Sequence, residues 1–67
     1  MIELEGVVVR SLERELFEVG LENGHRVRAH AVGKMRESLS RVLPGKKVCL
    51  CLTVRDLSQG RILRVLD

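Results

Sequence analysis

Leu21-Glu22-Asn23-Gly24-His25-Arg26-Val27-Arg28-Ala29-His30-Ala31-Val32-Gly33-Lys34-Met35-Arg36 is the stretch that decides the fold. Asn23-Gly24 sits between two alternating runs, the strongest short-range signal for a β-hairpin. A type I′ turn needs positive φ at both central residues, and Asn and Gly tolerate it best. After the turn the pattern has period 2. Val27, Ala29 and Ala31 share one face of the predicted strand, and Arg26, Arg28 and His30 share the other. A face that repeats cationic or titratable side chains can lie against an anionic partner. The competing reading is an ordinary solvated strand face. At Gly33 the alternation stops and the spacing moves toward 3.6, with Met35, Leu39 and Val42 on one apolar stripe.

Working outward, Gly6-Val7-Val8-Val9-Arg10 opens a β-rich segment from residue 5 to 12. Three consecutive valines favour a strand, because β-branched side chains crowd a helical turn. Gly6 marks a bend or bulge of the kind a closing barrel uses. Ser11 to Glu15 is polar and reads as a connection. Leu16 to Leu21 is a second strand, and Phe17, in phase with Val19 and Leu21, belongs to the core. His25, beside the turn, reads as a solvated residue.

The helix after Gly33 spans two to three turns and ends at Leu43-Pro44-Gly45. At 100° per residue, Lys34 and Arg41 fall within about 20° of each other on one flank, with Arg36 on the opposite flank. Glu37 precedes Arg41 by four residues, the favourable order for a helical ion pair. So short a helix is unstable alone and must close over the sheet. Lys47 to Val54 alternates again. Val48, Leu50, Leu52 and Val54 point in, while Lys47, Cys49, Cys51 and Thr53 point out. Residues Arg55 to Gly60 read as a loop from their Asp, Ser and Gly content. Residues Arg61 to Leu66 read as the last strand.

Strand, strand, strand, short helix, strand, strand is the order of an all-β, five-stranded OB-fold barrel. The whole chain, 1–67, makes one such domain. Closure removes sheet edges that so small a protein could not cover. One Phe and no Trp or Tyr leave the core to Val, Leu, Ile, Met and Ala. No apolar run approaches the roughly 20 residues a membrane helix needs. The acidic start Met1-Ile2-Glu3-Leu4-Glu5 is not a signal peptide. The expectation is a cytoplasmic monomer without a membrane partner.

Charge is unevenly spread. Residues 1–25 carry a net −4 and residues 26–67 a net +7, giving the overall +3. That asymmetry suggests a basic surface facing a polyanion, with the acidic half limiting indiscriminate binding. Cys49 and Cys51, at i and i+2 of a strand, would have Cα atoms about 6.5–7 Å apart, too far for an unstrained disulfide. They are expected to be reduced and half-buried. Two ligands are too few for a structural zinc site, so neither a metal nor a cofactor is expected. The His and Cys residues lack a third group to orient them, and no phosphate loop is present. Catalysis is not expected.

What remains is a set of cations on a small barrel: Arg26, Arg28, Lys34, Arg36, Arg41, Lys46, Lys47, Arg55, Arg61 and Arg64. OB-folds that read single strands stack bases on surface aromatics. This chain has none to spare, so phosphate contacts and Arg planes against a structured RNA are the expected mode.

Leu-Glu-Asn-Gly-His (21–25), Ala-His (29–30), Gly-Lys-Met-Arg (33–36), Arg-Val-Leu-x-Gly (41–45) and Asp-Leu-Ser-x-Gly-Arg-Ile (56–62) together resemble bacterial translation initiation factor one. The resemblance runs almost end to end with the same spacing between blocks. It implies an OB-fold of the S1 type. It also implies binding in the A site of the small ribosomal subunit, against ribosomal RNA and a ribosomal protein, alongside the other initiation factors. On matching positions, the family's basic contacts are Lys34, Arg36, Arg41 and Arg61, with His30 close by. Arg26, Arg28, Arg55 and Arg64 are further candidates that the family pattern does not require.

The departures are specific. Val32 stands where Ser is usual, Leu39 where Tyr is common, and Val54-Arg55 where a Pro-Tyr is found. Lys46 replaces an Asp, and Gln59 replaces a frequent Lys. The chain ends Val65-Leu66-Asp67 without a basic tail. Lys46 and Arg55 offset part of the lost charge, and the pattern fits a divergent second copy with altered affinity. Two other readings compete. One is a general RNA-binding or RNA-chaperone barrel of the cold-shock sort, which normally carries an aromatic cluster. The other is a protein-interaction module using the acidic first half.

The electrostatic reading predicts RNA affinity that falls steeply with salt and shows little sequence preference on isolated strands. Titration at low and high salt checks it, and a flat response would falsify it.

Overall fold

A computed structural model describes residues 2–66 as five strands and one 3-10 helix. In chain order these are β1 (Ile2–Glu13), β2 (Leu16–Leu21), β3 (Arg26–Ala31), the 3-10 helix (Gly33–Arg41), β4 (Lys47–Thr53) and β5 (Asp56–Val65). The strands close into a barrel in the order β1-β2-β3-β5-β4. All neighbours are antiparallel except β3 and β5, which run parallel. The predicted OB-fold barrel is therefore the observed one. Met1 and Asp67, the latter included in the charge count above, lie outside the described residues.

β1 is longer than expected. Ser11 to Glu13, read as a connection, continue the strand against β2, with register shifts between Val8 and Arg10 and between Ser11 and Glu13. The polar residues there hid the strand because Ser11 and Glu13 face solvent on the barrel's rim. β5 also starts early. Asp56 to Gly60, read as a loop, belong to it, and only Val54 and Arg55 form the turn from β4. Side chains supply the bonds that made this stretch look irregular. Asp56 N–H donates to Thr53 Oγ1 at 3.3 Å, and Ser58 N–H donates to Asp56 Oδ1 at 3.0 Å. Val54, expected to point inward, is 73% exposed at that turn.

The β2–β3 hairpin differs from the type I′ expectation. Gly24 has φ 87°, but among the described residues no non-glycine has positive φ. Gly24 N–H donates to Leu21 O at 3.0 Å, and Leu21 N–H donates to His25 O at 2.8 Å. The loop is therefore three residues long, a turn over Glu22-Asn23 followed by one left-handed glycine. Asn23 Oδ1 accepts from the His25 N–H and stabilises it.

The inner face holds Val8, Phe17, Val19, Val27, Ala29, Leu50 and Ile62, all nearly inaccessible. The chain after β3 plugs one end of the barrel with Met35 and Val42, and Leu39 packs partly buried against the core. These are the three residues of the predicted stripe, yet the backbone is 3-10 rather than α. Two short turns meet at Ser38, whose φ −121° and ψ 28° are not helical. Val32 offers no side-chain cap and the first turn has no acid. An uncapped segment this short cannot support an α-helical nucleus, and the tighter i→i+3 pattern fits the closing distance. The flank assignments at 100° per residue therefore fail. Lys34 and Arg41 do not share a flank by helix geometry, and Glu37–Arg41 is not among the ion pairs of the described residues.

Cys49 and Cys51 are buried rather than half-buried, and neither is in a disulfide. β4 lies between β1 and β5, with Glu3 and Glu5 opposite the two cysteines on one side and Arg61 and Arg64 on the other. These long side chains cover a row of small ones.

Gly60 shows how tightly the barrel closes. A Cβ there would lie 2.5 Å from Leu52 Cδ2 and 2.6 Å from the Cys51 carbonyl oxygen. The second neighbour is backbone and cannot swing aside. Gly60→Ala should therefore lower stability by about 1–3 kcal/mol. Urea unfolding of parent and variant checks this, and an unchanged midpoint would refute the close approach.

Candidate nucleic-acid interface

Alternation along β3 puts Arg26, Arg28 and His30 on the outside of the barrel, all exposed. Because β5 runs parallel beside β3, Gln59 lies opposite Arg28 and Arg61 opposite His30. Arg61 is in turn opposite Cys51 of β4, and its guanidinium Nη2 lies 3.8 Å from the Cys51 sulfur. His30, Cys51, Gln59 and Arg61 line a shallow surface cleft of about 410 Å³. The expected strand face thus exists, and it gains Arg61 from a strand about 30 residues away in sequence.

The 3-10 helix packs against β3 and β5. It places Lys34, Arg36 and Arg41 at the barrel end beside the C-terminal end of β3, all exposed. Arg36 is bonded to Glu15 of the β1–β2 turn, with Nε 2.8 Å from one carboxylate oxygen and Nη2 3.2 Å from the other. The pair is solvent-exposed and worth about 0–1 kcal/mol, so a polyanion can displace Glu15. Arg64 lies on β5 opposite Cys49. Arg55 does not join this group. It sits at the β4–β5 turn, which the parallel pairing places at the other end of the barrel, near the β2–β3 loop. There the His25 Nε2 lies 3.1 Å from Leu57 O, tying the β2–β3 loop to the start of β5. His25 is therefore a tether between that loop and β5 as well as an exposed turn residue.

Arg26 is also engaged. Its Nη1 donates to Glu18 Oε2 at 2.8 Å, and Arg10 Nε donates to Glu18 Oε1 at 2.7 Å. One carboxylate thus bridges two guanidiniums. The hydrogen bond from Arg26, then that from Arg10, hold the Glu18 carboxyl below its ordinary range. Asp56 is likewise lowered, mainly by the Ser58 hydroxyl and then the Ser58 N–H. Arg10 escapes a reading of the sequence because it lies in the acidic half. The register shift after Val8 is what brings it opposite Glu18. Its charge, outward and opposite in sign to Glu18, is the available signal.

Among the described residues, no group of three or more His, Cys, Asp or Glu side chains could hold a metal ion, and no helix is long and apolar enough to cross a membrane.

These features define a class: a small closed OB-fold barrel with a basic outer face that wraps onto one end. No protein-family model matches the chain. Its fold matches the solution structure of translation initiation factor one from the Wolbachia endosymbiont strain TRS of Brugia malayi. The TM-score is 0.73 and the sequence identity 35%, over 98% of this chain and 78% of that one. The chain belongs to the family of translation initiation factor one.

Glu18 gives a pH prediction. A carboxyl held below its ordinary value adds stability above that value, and the contribution is lost as pH falls through the lowered one. Glu18→Gln should therefore be less stable than the parent at pH 7, with the gap closing as pH drops below about 4.5. Urea midpoints across pH 7 to 3 test this, and a constant gap would rule it out.

Proposed function

We propose that this chain acts in the cytoplasm as a non-catalytic initiation factor. It docks as a monomer in the A site of the small ribosomal subunit through ribosomal RNA and a ribosomal protein, and it assists the other initiation factors there. The observation that supports this is the pairing of His30 with Arg61 on β3 and β5, the two strands against which the 3-10 helix carrying Lys34 and Arg41 packs, on a chain of the initiation factor family. Lysine and arginine side chains gain affinity by displacing counterions from phosphates, and a rigid barrel fixes their spacing. Arg36 joins once a phosphate replaces Glu15, Arg28 extends the face along β3, and Arg64 extends it along β5. Lys46 supplies charge that the departure at Gln59 removes. The surface carries no Phe, Tyr or Trp ring for base stacking, since the one Phe, Phe17, is in the core. That favours shape and phosphate recognition over a cold-shock type of single-strand binding.

Changing Lys34, Arg41 and Arg61 together to Glu should abolish cosedimentation with small subunits, with the thermal midpoint of the variant measured as the folding control. A bona fide initiation factor should compete with the parent chain for the same subunits. Retained sedimentation of the triple variant would remove these residues from the interface and favour a protein-mediated contact through the acidic half.

A further inference from the structure

We propose that the outer face of β1, β2 and β3 carries a second phosphate-binding cleft, built from Arg10, Arg26 and Arg28 around Glu18, that takes a backbone phosphate of RNA. The proposal rests on the RNA-docking reading above and extends the contact surface from β3 onto β1 and β2, which that reading does not use.

The register places Arg10, Glu18 and Arg28 in one row across three strands. Arg26 reaches the same carboxylate from two residues along β3. Together with Leu12 and Val27 these residues line a cleft of about 240 Å³. Gly20, opposite Arg26, presents no side chain that could crowd it. Three guanidiniums face one carboxylate, so the cleft keeps an excess of positive charge. Among the described residues Arg28 makes no ion pair, which leaves its donors to a ligand.

Glu18 shows what the cleft accepts. Its two oxygens each take a hydrogen bond from a different arginine, at 2.7 and 2.8 Å. A phosphodiester offers two anionic oxygens in a similar arrangement. The carboxylate therefore acts as an internal placeholder. It holds Arg10 and Arg26 extended toward one point and weakens the hold of stray polyanions on them. Arg10 is 67% exposed and Arg26 60%, so both can turn to an incoming phosphate without unpacking the barrel. Arg28 leads directly along β3 to His30, so a strand bound at Arg61 and His30 can continue onto this cleft.

The test compares the parent, Arg10→Gln/Arg28→Gln and Glu18→Gln in binding to purified small subunits at 50 and 200 mM salt, with thermal midpoints as the folding control. Two lost phosphate contacts should reduce the ratio of affinities at the two salt concentrations by about 7- to 12-fold. Glu18→Gln should shift the other way, with tighter binding and a steeper salt dependence, which a merely structural role would not produce. An unchanged salt ratio in the double variant overturns the cleft. If the Lys34, Arg41 and Arg61 reversal still abolishes binding in that case, the docking reading stands without it. If neither set of variants moves binding, both readings fail. Titration with inorganic pyrophosphate separates a free anion from a backbone. Loss of pyrophosphate binding in the double variant, with its RNA salt ratio intact, assigns the cleft to a small anion and overturns the RNA proposal.

Discussion

Closure of a five-stranded sheet on itself is the constraint from which the other features follow. A chain of 67 residues buries too little surface to leave long strand edges open. β1 meets this by pairing along one side with β2 and along the other with β4. At Gly6 both pairings overlap, and a Cβ would lie 2.6 Å from a Val19 methyl carbon. β5 pairs with both β3 and β4 and completes the ring. On β3 the interior is lined by Val27, Ala29 and Ala31, all fully buried, so a larger side chain at either alanine would have to displace core neighbours. Met35 and Val42 seal the end that the strands leave open.

Part of this architecture is legible in the sequence, and the rest is obscured for identifiable reasons. Strands with one apolar face announce themselves, as Phe17, Val19 and Val27, Ala29, Ala31 do. Strand ends that project beyond the core do not. Ser11 to Glu13 and Asp56 to Gln59 are largely polar and poorly covered, and polarity alone cannot separate such ends from loops. The apolar stripe of the helix is right in its residues and wrong in its period, because three anchoring contacts constrain position without specifying hydrogen-bond spacing. The cysteines mislead because alternation reports direction, while burial depends on how long the neighbouring side chains are.

The same limit governs the basic surface. Each cation is visible as an exposed residue, but its partner depends on register. Arg28, Lys34 and Arg41 make no ion pair among the described residues, whereas Arg26 and Arg36 are held by Glu18 and Glu15. The acidic first half is thus threaded through the basic second half by strand pairing. Its carboxylates set which cations are immediately available and which must be won from a competitor. That makes the net charge of +3 a poor guide to the strength of the field on any one face.

The parallel alignment of β3 with β5 has one more consequence, for timing. Their partners His30 and Arg61 are far apart along the chain, and the entropy of bringing distant segments together must be met before the contact returns anything. The hairpin of β2 and β3 can assemble locally, but the pairing of His30 with Arg61 cannot exist until β5 docks. A partly folded chain therefore presents its arginines without their relative placement. Only the closed barrel sets His30 beside Arg61, so the spacing of these side chains is a property of the finished fold and of no earlier stage.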